Sequence, residues 1–500
     1  MRLRPDDVIG PEDLERGKRA LVRDAAWATL AGSLYGGVIL IGFAVALDAS
    51  PIVIGLLAAI PFLAQVAQLP AIALVERIRQ RRKITVISVT TSRAIILLLA
   101  FLPHLEPRYA LALFLFGQTV ITLLGSISGC SLNSWLHQLL PKETLGALFA
   151  KRLFWSTLVS SLGALFAGQI VQHWPFGNPV EGYSVAFVAA ALAGFMSSWY
   201  LAQVPEPRMV SSGPPLPVHA MIRAPFRDRN FRSVIVFMAS WNLASNLAAP
   251  FLTVYLLKQL GYGLGMVTTL WVSSQIANAL TMYLWGRLSD RLSNKAILAV
   301  ALPAYFGCLI GLPFTTIPTP HALTLPLLFV IHIAMGAASG GIGLATGNLG
   351  LKLAPQGQGT AYLSAISLTG AMAAGLASIS GGGLAEWFAS RELSIYIHWA
   401  SPGESATATV LQFQHWEFLF AISFALGGYV LHALSRINEG PEISERTVIQ
   451  EFVGEARRSL DQLSPIEGLR TAVLFPLGRL SERRRRARNR ALQVRPRSAP

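Results

Sequence analysis

Charge is scarce in this sequence. Asp, Glu, Lys and Arg make up 13% of its 500 residues, roughly half the share found in soluble domains. Its surface therefore needs a solvent other than water. Cysteine is nearly missing: Cys130 and Cys308 are the only two. Both fall inside apolar stretches, where a thiol acts as a small filler. Neither a disulfide framework nor a cysteine metal site is suggested. The stretches also lack a central carboxylate. Glu386 and Glu417 lie near stretch ends, and Asp24 and Asp48 flank the first stretch. Coupled protons usually ride on a buried Asp or Glu, so no driving ion is specified. His332 and His137 remain as titratable groups, although a lone histidine in a bundle more often serves packing. No nucleophile–base pair, metal cluster or phosphate loop appears, so neither catalysis nor a cofactor is expected.

What abounds is apolar length. The chain is 53% hydrophobic, with a mean hydropathy of +0.49. Twelve runs stand out, at about 25–46, 52–74, 84–103, 109–138, 153–172, 184–203, 232–257, 264–285, 296–313, 322–349, 359–388 and 415–435. Runs of this kind cross a bilayer as helices. Hydrocarbon forces backbone groups to bond internally, which predicts a helical bundle. The alternation of barrel strands is missing. The first 24 residues, "MRLRPDDVIGPEDLERGKRALVRD", are too long and acidic for a signal-peptide start, so the first run is expected to stay in the mature protein.

Alternate connections, starting from the N-terminal segment, hold 23 Lys or Arg, while the other set holds only Arg108, Lys258 and Arg391. Basic connections stay inside. This predicts a multi-pass protein of the cell's inner (plasma) membrane with both termini cytoplasmic. The net charge of +15 then signals orientation, and nucleic acid is not expected as a partner.

The segment 203–232, "QVPEPRMVSSGPPLPVHAMIRAPFRDRNFR", reads as a linker. A gapless shift of 214 residues aligns Trp27 with Trp241, Glu76-Arg77 with Asp290-Arg291, Gly129 with Gly343, Pro141 with Pro355 and Gly168 with Gly382. Repeated halves of this kind are the organisation of transporters with a site between the repeats. The expected parts are a cytoplasmic N-terminal segment 1–23, a six-helix bundle 24–203, a linker 204–231, a second bundle 232–435 and a basic cytoplasmic tail 436–500.

"GRLSDRLSNK", residues 286–295, resembles the loop signature of the major facilitator superfamily, Gly-x-Leu-Ala-Asp-Arg-x-Gly-Arg-Lys. Gly286, Leu288, Asp290, Arg291 and Lys295 match it, and Ser293 replaces its second glycine. The first-half counterpart, "IALVERIRQRRK", has Ile72 for the first glycine and Glu76 for the aspartate. The resemblance implies an all-α polytopic fold of twelve transmembrane helices in two pseudo-symmetric six-helix bundles. It implies a permease working by alternating access, with spans one, four, seven and ten lining the cavity. "SSLGALFAGQI" in the fifth run resembles a drug-exporter stretch but lacks its Gly-Pro pair.

The loop has a physical reading as a conformational latch of Gly286, Asp290, Arg291, Lys295, Glu76 and Arg77. Gly286 permits close helix approach. Asp290 can accept hydrogen bonds at the start of span nine, where the helix dipole favours negative charge. Arg291 and Lys295 can reach neighbouring helix ends, at ~1 kcal/mol per contact. The alternative is that these charges only hold the loop inside.

Polar residues at helical spacing mark the expected cavity: Tyr35, Gln118, Asn133, Trp241, Asn242, Asn246, Gln275, Asn278 and His332, with Gln65 and Gln68 nearby. Ordinary helix packing is the competing role. Arg93 is the only cation well inside a span, and a structural partner is favoured there over an anionic substrate. After Arg436, "SERTVIQEFVGEARRSLDQL" has apolar residues at helical intervals, and "ERRRRARNRALQVRPR" follows. Anionic lipid at this basic tail and a solvated tail are both open. Residues 389–414 carry no readable motif. The expected function is transport of a small organic solute by a monomeric secondary carrier, efflux included. The alternative is a non-transporting binding, assembly or sensor protein on the same fold.

Overall fold

The computed structural model describes residues 5–6, 9–140, 142–209, 225–289, 292–316, 320–355, 359–401, 404–439 and 445–463. The first apolar run forms α1 (Pro11–Tyr35) and α2 (Val38–Ala46). Gly37 between them has φ 56°, a left-handed backbone that suits glycine. Ser50 then caps α3 (Pro51–Leu63) by accepting the Val53 N–H. A 3₁₀ turn at Ala64–Ala67 leads into α4 (Gln68–Ile78), and the two parts are bent by 47°.

Six of the next helices are α5 (Arg81–Leu99), α6 (Pro107–Leu139), α7 (Lys142–Gln172), α8 (Glu181–Leu201), α9 (Arg229–Val254) and α10 (Leu264–Ser289). Then come α11 (Asn294–Gly311), α12 (Thr324–Leu353), α13 (Gly359–Phe388), α14 (Glu417–Ser435) and α15 (Glu445–Leu463). Every expected apolar run is thus helical. Ten described helices are long and apolar enough to cross a membrane, or eleven if the bent pair counts as one span. The helix α10 falls outside that count, because Thr268, Thr269, Ser273, Ser274, Gln275 and Asn278 dilute its apolar content. The protein is a multi-pass helical membrane protein.

One feature departs from the all-helical expectation. Residues Glu392–Ser401 and Glu404–Gln414 form an antiparallel hairpin, β1 and β2, with a bulge at Ile395/Tyr396. Leu393, Ile395, Ile397 and Trp399 share one face and are exposed.

The N-terminal helices pack among themselves, α1 on α7 and α8, and α5 on α6 and α8. Tyr35, Phe43, Phe114, Tyr183 and Phe187 interlock there, mostly edge to face. In the C-terminal set, α10 packs on α12, and α9 packs on α13 and α14. The two sets meet along α3 with α13 and along α7 with α10. Both seams lie at the ends away from the basic connections. At one of them the Gln172 side chain accepts the Gly265 N–H at 2.7 Å.

Candidate functional site: a cavity and a charged rim

The α3–α4 bend, α5 and α6 line an open cavity of ≈ 540 Å³. Its polar lining comes from Gln65, Gln68, Ser92, Arg93, Thr122, Ser126 and Asn133. Gln65 also meets the C-terminal set, since Ser367 Oγ on α13 donates to its Oε1 at 3.5 Å. Arg93 is the one charged residue in the described lining. Its stem crosses α8 at Gly194, where any β-carbon would collide with it. Arg93 forms no hydrogen bond or ion pair with a described residue, and its Nε is buried without a partner among them. The nearby carboxylate is already in use. Asp24, 4% exposed, accepts the Ser197 hydroxyl at 2.7 Å and lies 3.9 Å from the Arg152 guanidinium. So Asp24, expected beside the first span, is in fact sealed between helices and pulls on Arg93 only over a longer range.

The other expected cavity residues are spread more widely. Asn133 lines the cavity. Tyr35 and Gln118 are buried and satisfy each other, the phenol donating to Gln118 Oε1 at 2.7 Å. Trp241 packs on Tyr305 and Phe306. Asn242 donates to Met238 O at 2.8 Å and Asn246 to Asn242 O at 2.9 Å. His332 is buried, with Nδ1 2.8 Å from Leu328 O. Polar side chains in an apolar medium take the nearest free carbonyl lone pair, one turn back on their own helix. Gln275 and Asn278 are half-buried on α10, and their side chains bond no described residue.

At the basic end, two acids that the sequence did not single out hold the rim. Glu206, after α8, accepts the Arg81 N–H at 2.5 Å and faces the Arg81 guanidinium at 3.5 Å. Arg81 also donates to Ser134 O and Pro207 O, at 3.2 and 2.7 Å. Glu439, after α14, accepts the N–H groups of Asn294 and Lys295 at 3.1 and 2.6 Å and the Asn294 amide at 2.7 Å. It also pairs with Lys352 at 3.1 Å. The 214-residue register places Arg81 on Lys295, so the two halves cap the starts of α5 and α11 alike. Ser293 adds its own cap to Ala296 N–H.

The latch residues fare differently. Lys295 belongs to the Glu439 cluster, and its Nζ donates to Ser435 O at 3.1 Å. No atom lies within 4 Å of the place a β-carbon would take at Gly286, so no described helix uses that gap in this conformation. Glu76 and Arg77 are exposed and form no ion pair with described residues. Asp290 and Arg291 lie outside the described residues, as do residues 464–500 of the basic tail and residues 210–224 of the linker. The amphipathic tail segment is α15, which docks on α10 and α11. Phe452 stacks on Trp285 at 4.3 Å, and Arg287 pairs with Glu455 at 2.8 Å.

Burial alone would raise the Glu439 carboxyl, but the donors from Lys295, Asn294 and Lys352 outweigh it and hold the group below its ordinary 4.5. A lowered carboxylate stabilises the fold above the unfolded-state value and loses that effect as pH falls through the folded value. The thermal midpoint in detergent should therefore drop below about pH 4.5. Glu439→Gln should remove this part of the acid dependence, which a pH series of unfolding curves checks.

The family described as Major Facilitator Superfamily matches residues 25–379. No curated protein matches the chain. Solved structures share the fold at low identity. A variant of the nucleoside transporter NupG has 15% identity and a TM-score of 0.62, covering 84% of this chain and 100% of its own. A POT family transporter bound to a thioalcohol-conjugated peptide has 12% identity and a TM-score of 0.61, with 85% and 97% covered. A bacterial homologue of the iron transporter ferroportin, in an inward-facing state, has 10% identity and a TM-score of 0.61, with 85% and 99% covered. The family match spans most of the chain, and the helices, seams and cavity accord with it: this protein belongs to the major facilitator superfamily.

Proposed function

We propose that this protein is a secondary carrier of small organic anions that works by alternating access. Two bundles, 24–203 and 232–435, rock about the crevice between them, and the segment 204–231 links them. The observation that carries the anion assignment is Arg93, a cation among the residues lining the cavity, with no hydrogen-bonding partner among the described residues. An unpaired buried donor is costly, and each hydrogen bond from a charged group to a bound anion regains about 1.5–3 kcal/mol. Gln65, Gln68, Ser126 and Asn133 add neutral hydrogen-bonding groups, and the described lining contains no Asp or Glu to receive a cation. The seams closed in this conformation lie opposite the basic connections. Under the positive-inside rule the crevice then opens toward the cytoplasm.

Counterflow into proteoliposomes tests this with matched pairs: gluconate and glucose, lactate and lactamide, phenylacetate and phenylacetamide. The wild type should prefer the carboxylate of a pair. Arg93→Gln should erase that preference with at least about a tenfold loss of affinity, and Arg93→Lys should keep part of it. Preference for the neutral partner would remove the anion assignment while leaving a carrier. A thermal shift from bound probe without any counterflow would replace the carrier by a binding or sensor protein.

A further inference from the structure

At the basic end of the C-terminal set, α9 and α14 pack side by side. Between them lies a second pocket of ≈ 440 Å³. Arg229 and Arg232 line it from α9, His432 from α14, and Arg436 from the residue that caps the end of α14. The two helix ends are tied across the pocket by a reciprocal pair. Asn230 Nδ2 donates to Asn438 O at 3.0 Å, and Asn438 N–H donates to Asn230 Oδ1 at 3.1 Å.

Three guanidiniums thus converge without a counter-charge among the described residues. None of them forms an ion pair or a side-chain hydrogen bond with a described residue. The neighbouring carboxylates are engaged elsewhere. Asp228 accepts the Phe231 N–H at 3.0 Å to cap α9, and Glu439 holds the start of α11. Like charges gathered this way repel, and membrane orientation alone needs basic residues at these ends but not their convergence from two helices. Arginine forks match phosphate oxygens in geometry and charge.

The membrane-side wall of the pocket is different in kind. Val236 and Tyr429, one turn deeper on the same two helices, are 40% and 53% exposed. Gly428 beside them leaves open space, with nothing within 4 Å of the place a β-carbon would take. A cationic pocket with Val236 and Tyr429 exposed on its membrane side fits a phosphate carried on acyl chains. We infer that this pocket holds the phosphate group of an anionic phospholipid, with a chain running along Val236 and Gly428. The site is separate from the solute cavity and does not depend on the carrier assignment.

The test uses the delipidated full-length protein in detergent, with dioleoyl phosphatidylglycerol, dioleoyl phosphatidylcholine or inorganic phosphate added. Binding is read by native mass spectrometry and by thermal midpoint. Phosphatidylglycerol should bind and raise the midpoint, and phosphatidylcholine and inorganic phosphate should do so at least about tenfold more weakly. Arg232→Gln/Arg436→Gln should weaken phosphatidylglycerol about tenfold or more. Arg108→Gln, at the other end of the bundle, should leave it unchanged. Equal binding of phosphatidylglycerol to the double variant overturns the site. Inorganic phosphate that matches the lipid overturns the lipid as the source.

Discussion

Gly382→Val should cut transport at least about tenfold by forcing apart the ends of the two bundles that are closed here. A β-carbon at Gly382 would stand 2.6 Å from Pro51 O and 2.9 Å from Ile52 Cα. Both are backbone atoms and cannot swing aside. Across the seam, Gly55 meets the Ser378 carbonyl just as closely. Overpacking of this kind costs about 1–3 kcal/mol, and ~1.4 kcal/mol shifts an equilibrium tenfold. The penalty falls only on the conformation that closes this seam, so the population moves to the other one. Asn133 lines the cavity near the basic end of α6. Asn133→Cys in a background without Cys130 and Cys308 should react with impermeant maleimide more slowly, by about tenfold, once Gly382→Val is added. Unchanged labelling together with unchanged transport would mean that the α3–α13 seam does not gate the crevice.

The largest loss of stability is expected from Glu206→Ala. The Arg81 and Glu206 side chains are 2% and 0% exposed. Removing one partner of a buried pair costs about 3–5 kcal/mol, because the other charge stays buried alone. Arg81 would keep only the carbonyls of Ser134 and Pro207. Burial raises the Glu206 carboxyl above its ordinary value despite the Arg81 and Arg82 donors, so the charge itself is not fully compensated. Glu206→Gln, which leaves the Arg81 charge unpaired but keeps an acceptor for the Arg81 N–H, should cost less than Glu206→Ala by about 1–3 kcal/mol, the cost of orphaning a buried donor. Thermal unfolding of the two variants in detergent decides this; equal losses would put the weight on the ion pair.

The rim illustrates how far sequence spacing reaches. "GRLSDRLSNK" points to the family and offers Asp290 as the acceptor at the start of α11; in the structure the Lys295 N–H there is held by a different acid. That acid is Glu439, 144 residues further along the chain, and no local pattern connects the two. Arg93 is visible in the sequence as an intramembrane charge, for which a structural partner is the expectation. The structure gives the nearest carboxylate, Asp24, to Ser197 and Arg152 instead. The hairpin is what the sequence reading leaves unassigned: Leu393, Ile395, Ile397 and Trp399 alternate with a strand period, but in a connection between helices where only the structure shows the pairing.

Hydropathy, the run of basic connections and a ten-residue loop are properties of neighbouring residues. They were enough to determine a membrane solvent, a helical fold and membership of the superfamily. Partnership between polar groups is different. Side chains in hydrocarbon bond whichever donor or acceptor lies within about 3 Å, and helices distant in the chain set that distance. Tertiary packing alone therefore decided that the Tyr35 hydroxyl finds Gln118, 83 residues away in the chain, whereas Asn242 and Asn246 bond locally, one turn back on their own helix. It also decided that Arg93, one of the residues lining the cavity, packs its stem across α8 at Gly194 and leaves its Nε without a partner among the described residues.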